Sequence, residues 1–143
     1  MKNIISFTLA ILIASFSSLN AQPTIEKQTV YSFVKVRRTT EWYQTQVTLW
    51  KKEIDLNQQN PEAWLNYYTA QRMLKLTTKT VCSEDLEKIV ADAEKAIPNS
   101  FEFHYMSYWN SGITNKPKEI NHLKKAQTLG PNRVELMDDL FTY

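Results

Sequence analysis

Glycine is scarce in this chain: two in 143 residues, where average usage near ~7% would supply roughly ten. A G-x-G-x-x-G dinucleotide loop or a Walker phosphate loop needs several, so neither fits. Hairpin-rich β folds are disfavoured for the same reason, because their tight turns use Gly to reach positive φ. One cysteine excludes an intrachain disulfide and a Cys-cluster zinc site. Neither sign of charge is in excess, with 17 Lys and Arg against 15 Asp and Glu, which is too balanced for the basic stripe of a nucleic-acid binder. What is abundant is aromatic: four Trp, seven Tyr and six Phe. The composition points to an all-α chain whose helices are joined by short turns.

Residues 1–21 have a character of their own. Lys2 is a positive start, Ile4 to Phe16 is an apolar run, and Ser17-Ser18-Leu19-Asn20-Ala21 is a polar, small-residue tail. This is the order of a secretory signal peptide, and the run is shorter than the ~20 residues that cross a bilayer core. Cleavage after Ala21 is expected, with export to the periplasm, cell envelope or extracellular space and no membrane span afterwards. Removing Lys2 leaves 16 basic against 15 acidic residues, a net charge of +1. Cys82 would then meet an oxidising compartment; with Glu84 and Asp85 beside it to oppose a thiolate, it reads as a structural thiol.

Residues 22–39 read as an extended lead-in, since Val30, Ser32, Val34 and Val36 alternate with Tyr31, Phe33 and Lys35. From Thr40 the period changes. Tyr43, Val47, Trp50 and Ile54 mark one helix face, capped by Thr39 or Thr40 and ending near Asn57. Asn60-Pro61 opens a second helix, with Asn as cap and Pro in the first position. Thr77 to Val81 reads as a loop, and Ser83 is expected to cap a third helix that stops at Pro98-Asn99. Phe101, Tyr105 and Tyr108 fit a fourth helix. Residues 112–116 form a turn, Pro117 starts a fifth helix, and Gly130-Pro131 ends it by a C′ glycine. Val134 begins a last helix.

The helix junctions share a phrase. Glu62, Glu102 and Glu135 align when the segments following Asp55, Lys95 and Thr128 are laid side by side, with separations of 40 and 33 residues. A period near 34 with two helices per unit is the mark of tetratricopeptide arrays. The chain resembles that family over residues 40–143: Ala93 with Pro98 and Ala126 with Pro131 match its small residue and proline, and Trp64 matches its aromatic. The repeats are degenerate, with His104 and Met137 where Trp64 stands, and with Tyr68 and Tyr108 where the family has Gly or Ala. Rings there are expected to spread or tilt the paired helices. The resemblance implies an α-solenoid of antiparallel helix pairs, incomplete at its C-terminal end because the third unit has only a first helix. It also implies a concave groove lined by Glu62, Leu65, Thr69 and Arg72 from one unit and by Glu102, Tyr105 and Trp109 from the next.

Catalytic and metal chemistry finds little foothold. Glu119-Ile120-Asn121-His122 places a carboxylate and an imidazole on one helix face, but di-iron bundles use two such pairs, so a solvated face is expected. His104 among aromatics reads as a packed side chain. Adjacent carboxylates at Glu84-Asp85 and Asp138-Asp139 point about 100° apart on a helix and do not converge. The expectation is an exported scaffold that binds a protein or peptide, with no catalytic residues, cofactor, metal or nucleic acid. The competing readings are a helical accessory region of a larger cell-envelope enzyme and an aromatic groove for sugars.

Overall fold

The computed structural model describes residues 25–30, 37–78, 85–111 and 116–133, and within them every regular element is a helix. Helix α1 runs over Thr40–Leu56, α2 over Pro61–Thr78, α3 over Leu86–Ala96, α4 over Phe101–Ser111 and α5 over Lys116–Leu129. The all-α expectation therefore holds. The expected leader (1–21), Cys82 and the last helix from Val134 lie outside the described residues. Among the described residues, no helix is long and apolar enough to cross a membrane.

Local chemistry explains the boundaries. Thr39 caps α1, its hydroxyl accepting from the Trp42 N–H at 3.2 Å. Asn60 accepts from the Ala63 N–H at 3.4 Å ahead of Pro61. Helix α2 continues through Thr77 and Thr78, where a loop is expected: both hydroxyls bond back to carbonyls one turn earlier, Thr78 to Leu74 at 2.8 Å. That bonding satisfies the hydroxyl without breaking the helix and offsets the poor propensity of a β-branched pair. Asp85 caps α3 by accepting from the Glu87 N–H at 3.0 Å, and Ser83, the expected cap, lies outside the described residues. In the aromatic stretch helix prevails over strand, and Ser100 caps α4 through the Phe103 N–H at 3.1 Å. Pro117 is the second residue of α5, still in the first turn, where its missing N–H costs nothing.

One turn recurs three times. At Asn57, Ile97 and Gly130 the N–H returns to the carbonyl four residues back (Glu53, Ala93, Ala126; 2.9, 2.8 and 2.9 Å). Three residues on, Asn60, Ser100 and Arg133 each donate back to that turn residue, at 3.1, 3.1 and 3.0 Å. The turn residues 57, 97 and 130 stand 40 and 33 apart, the spacings of the aligned glutamates.

Helix α2 packs against α1, α3 and α4, while α3 and α5 both lie on α4. Small residues sit at the contacts: Ala63, Ala70, Ala93 and Ala126 have no exposed surface. Leu65, Ile89 and Met106 fill the space between them. Both anomalous rings are accommodated, since Tyr68 and Tyr108 are buried members of the same cluster. Burial pushes the Tyr68 phenol up to about 12, against a smaller downward pull from Arg72.

Gly130 ends α5, but not as a left-handed cap. Its φ lies outside the left-handed range, and what requires glycine is proximity. A Cβ there would meet the Phe101 ring at 2.9 Å and the Arg133 Cγ at 2.7 Å.

Before α1, residues 25–30 form neither helix nor strand, yet their main chain is bonded to side chains of α1 and α2. Gln46 on α1, with no exposed surface, accepts from the Gln28 N–H and donates to the Glu26 carbonyl, both at 2.8 Å. Its amide does what a residue of a neighbouring strand would do. Trp50 donates its indole N–H to the Gln28 carbonyl at 2.9 Å, and Asn66 on α2 accepts from the Val30 N–H at 2.6 Å. The bonded main-chain groups belong to residues 26, 28 and 30, the period of an extended chain.

Candidate functional site

The seven residues expected to line a groove divide into three groups. Leu65 is 1% exposed and belongs to the core between α1, α2 and their neighbours. Tyr105 is buried too, stacked on Phe101 with ring centroids 5.3 Å apart. Glu102 and Thr69 are engaged locally. Glu102 pairs with the Arg133 guanidinium at 3.1 Å, which also lies over the Phe101 ring at 4.4 Å. Thr69 bonds back to the Leu65 carbonyl at 2.7 Å. Arg72, Trp109 and Glu62 remain as surface groups. The structure brings the first two together: the Arg72 guanidinium sits 4.3 Å from the Trp109 ring centre, across the α2/α4 contact. Trp109 is 36% exposed, and it meets Tyr105 edge-on at 6.2 Å. Glu62 is exposed at the start of α2, and Asn66 Nδ2 donates to its carbonyl at 2.9 Å.

A cation held over an exposed indole is a preorganised contact surface. The ring quadrupole attracts the guanidinium, and the pair presents an apolar face with donors at its edge. Such pairs are favoured anchors because their rotamers are already fixed before a partner arrives.

The opposite side of α4 holds a group that the sequence reading missed. His104 and His122 meet through their Nδ1 atoms at 3.0 Å, so one ring donates to the other. Phe103 packs edge-on against His122 at 5.9 Å. Burial is the main cause that pushes His104 down to about 4, reinforced by His122 and Lys125 and opposed by Glu94. His122 is lowered as well, first by burial and then by Lys118 and Lys125, again against Glu94. The expected solvated face at Glu119 and His122 is overturned here: Glu119 is 3% exposed and His122 is half-buried. The reason is that α4 and α5 form a hairpin, which turns this face of α5 towards α4 instead of water. One signal was available: His104 and His122 lie on either side of the expected turn at residues 112–116, so helices that double back there can bring them together.

Beside this pair, α3, α4 and α5 enclose an open cleft of about 430 Å³. Glu87, Glu94, Ser107, Asn110, Lys118 and His122 line it. The Ser107 hydroxyl is buried there and finds no hydrogen-bond partner among the described residues. The described residues contain no group of three or more His, Cys, Asp or Glu side chains placed to hold a metal ion. No protein-family model, curated protein or solved structure matches the chain.

Proposed function

We propose that this chain is an exported, tetratricopeptide-like solenoid that binds a protein or peptide on the face where α2 and α4 lie side by side. The repeated turn at residues 57, 97 and 130 supports the repeat architecture. So does the packing order, in which α2 touches both its successor α3 and the next unit's first helix, α4. Stacked units of this kind bury one continuous core and leave a rigid surface for recognition. The export reading rests on the tripartite order of residues 1–21.

The observation that carries the binding reading is the Arg72–Trp109 stack, an exposed aromatic anchor formed by two units at their junction. Its partner's chemistry follows: a peptide offering an apolar side chain to the indole and a carboxylate or carbonyl to the guanidinium. Panning a random peptide library on the full chain tests this. Enriched peptides are expected to bind Arg72→Ala and Trp109→Ala variants at least tenfold more weakly. Enrichment of peptides indifferent to both substitutions, or no enrichment at all, refutes the assignment. Export is tested by N-terminal sequencing of the mature protein, which is expected to begin at Gln22; a retained Met1 refutes cleavage.

A further inference from the structure

We infer that the groove between α1 and α2 is a receptor for extended peptide main chain, and that residues 25–30 occupy it in cis as an intramolecular competitor. The site is separate from the Arg72–Trp109 face and does not depend on it.

The groove is built for backbone. Gln46 and Asn66 are buried polar side chains with no exposed surface, and both spend their amides on main-chain groups. Trp50 adds a fourth bond through its indole N–H. Buried amides are costly wherever apolar side chains would pack, and they are retained where partners complete them. Here the partners are a carbonyl at residue 26, an N–H and a carbonyl at residue 28, and an N–H at residue 30. Any extended peptide presents the same groups at the same period.

The occupant is held lightly. The side chains of residues 26–29 are exposed, and only Val30 packs against the core. Each main-chain bond from the segment goes to a side chain at least 18 positions away. Ordering six residues costs conformational entropy that such a small apolar contact offsets poorly. An occupant of this kind can be exchanged for another.

Two features set which peptides compete. Lys27 pairs with Glu53 at 2.9 Å, and its ammonium lies 4.9 Å from the Trp50 ring centre, so the groove reads a cation at that position. Three residues on, Val30 lies against the core, so a β-branched aliphatic fits there. The competing ligand is an extended peptide with Lys or Arg three positions before Val or Ile.

The test uses the full chain and a fluorescein-labelled peptide with the sequence of residues 25–30. Gln28→Pro with Val30→Pro removes the two N–H groups that Gln46 and Asn66 accept. The labelled peptide is expected to bind this double variant at least tenfold more tightly than wild type. A peptide with Glu in place of its Lys is expected to bind at least tenfold more weakly. The inference is overturned if the variant keeps its helical circular dichroism but binds no more tightly, or if the charge-reversed peptide binds equally well. Should the variant unfold, amide exchange of the wild-type chain decides. Excess unlabelled peptide is expected to speed exchange at Gln28 and Val30, and unchanged protection at saturating peptide overturns the inference. Trp109→Ala is expected to leave this binding intact; loss there would move the peptide to the α2/α4 face and equally overturn it.

Discussion

Helices α1 and α2 meet beside buried amides, whereas α4 and α5 meet across rings. Gln46 and Asn66 sit at full burial on the first pair and hold main chain. On the second pair, the corresponding work falls to Phe103, His104 and His122. Primary amides carry no titratable proton, so the first contact keeps its hydrogen bonds across the physiological pH range. The second has two imidazoles that both favour the neutral form, which ties its stability to proton concentration. The two ends of one helical chain thus differ in what they sense: one responds to competing backbone, the other to acid.

Four changes break or sharpen that contrast. Leu65→Ala is expected to cost the most, about 2–5 kcal/mol, because it empties a fully buried site shared by neighbouring helices. Urea titration measures it, and a loss under 1 kcal/mol would show that Leu65 is free to serve a ligand. Asn66→Ala is expected to lose about 1–3 kcal/mol by orphaning the Val30 N–H. Its exchange signature should be local, with faster exchange at Val30 and unchanged protection in α4 and α5.

Acid should act on the other end. Both histidines favour the neutral form when folded; for His104, between pH 6.5 and about 4 the unfolded chain binds a proton that the folded chain does not, and His122 acts in the same direction. Stability is therefore full above pH 6.5 and falls as pH drops through that window. The loss is about 1–2 kcal/mol, discounted for the water reaching the cleft. His104→Phe should flatten most of this slope in thermal melts recorded at several pH values, while Asn66→Ala should leave it unchanged. The smallest effect is expected on the surface of α3. Lys88 and Lys95 flank Asp92 at 2.6 and 3.1 Å and hold its carboxyl below the usual range. Asp92→Asn should shift stability by no more than about 0.5 kcal/mol, and less in high salt.

Much of the fold was legible because local and long-range signals agreed. Thr39, Asn60-Pro61 and Pro98 mark helix ends whatever surrounds them, and Tyr43, Trp50 and Ile54 mark the buried face of α1. What escaped was tertiary. Gln46 lies on the buried face of α1, where an apolar pattern gives no reason to expect a glutamine, and its partners are 18 and 20 residues away. Gly130 reads as a left-handed cap until the Phe101 ring is found against it. The candidate site was legible only in part. The repeat resemblance placed Arg72 and Trp109 on a groove face, but it cannot tell a lining residue from a core residue, and Leu65 and Tyr105 are buried. Glu119 misled for a related reason: a helix face is called solvated from its own sequence, and only the neighbouring helix decides.

Two indoles tie separate parts of the molecule to main-chain oxygens. Trp50 donates to the Gln28 carbonyl, and Trp64 to the Gln58 carbonyl at 2.7 Å. Each is a resident fluorophore whose emission reports whether its own bond is closed. With the other three tryptophans replaced by Phe, a red shift from Trp50 would time release of residues 25–30. The same arrangement around Trp64 would time opening of the turn between α1 and α2. One chain thus carries two independent optical clocks, one for a tether and one for a joint.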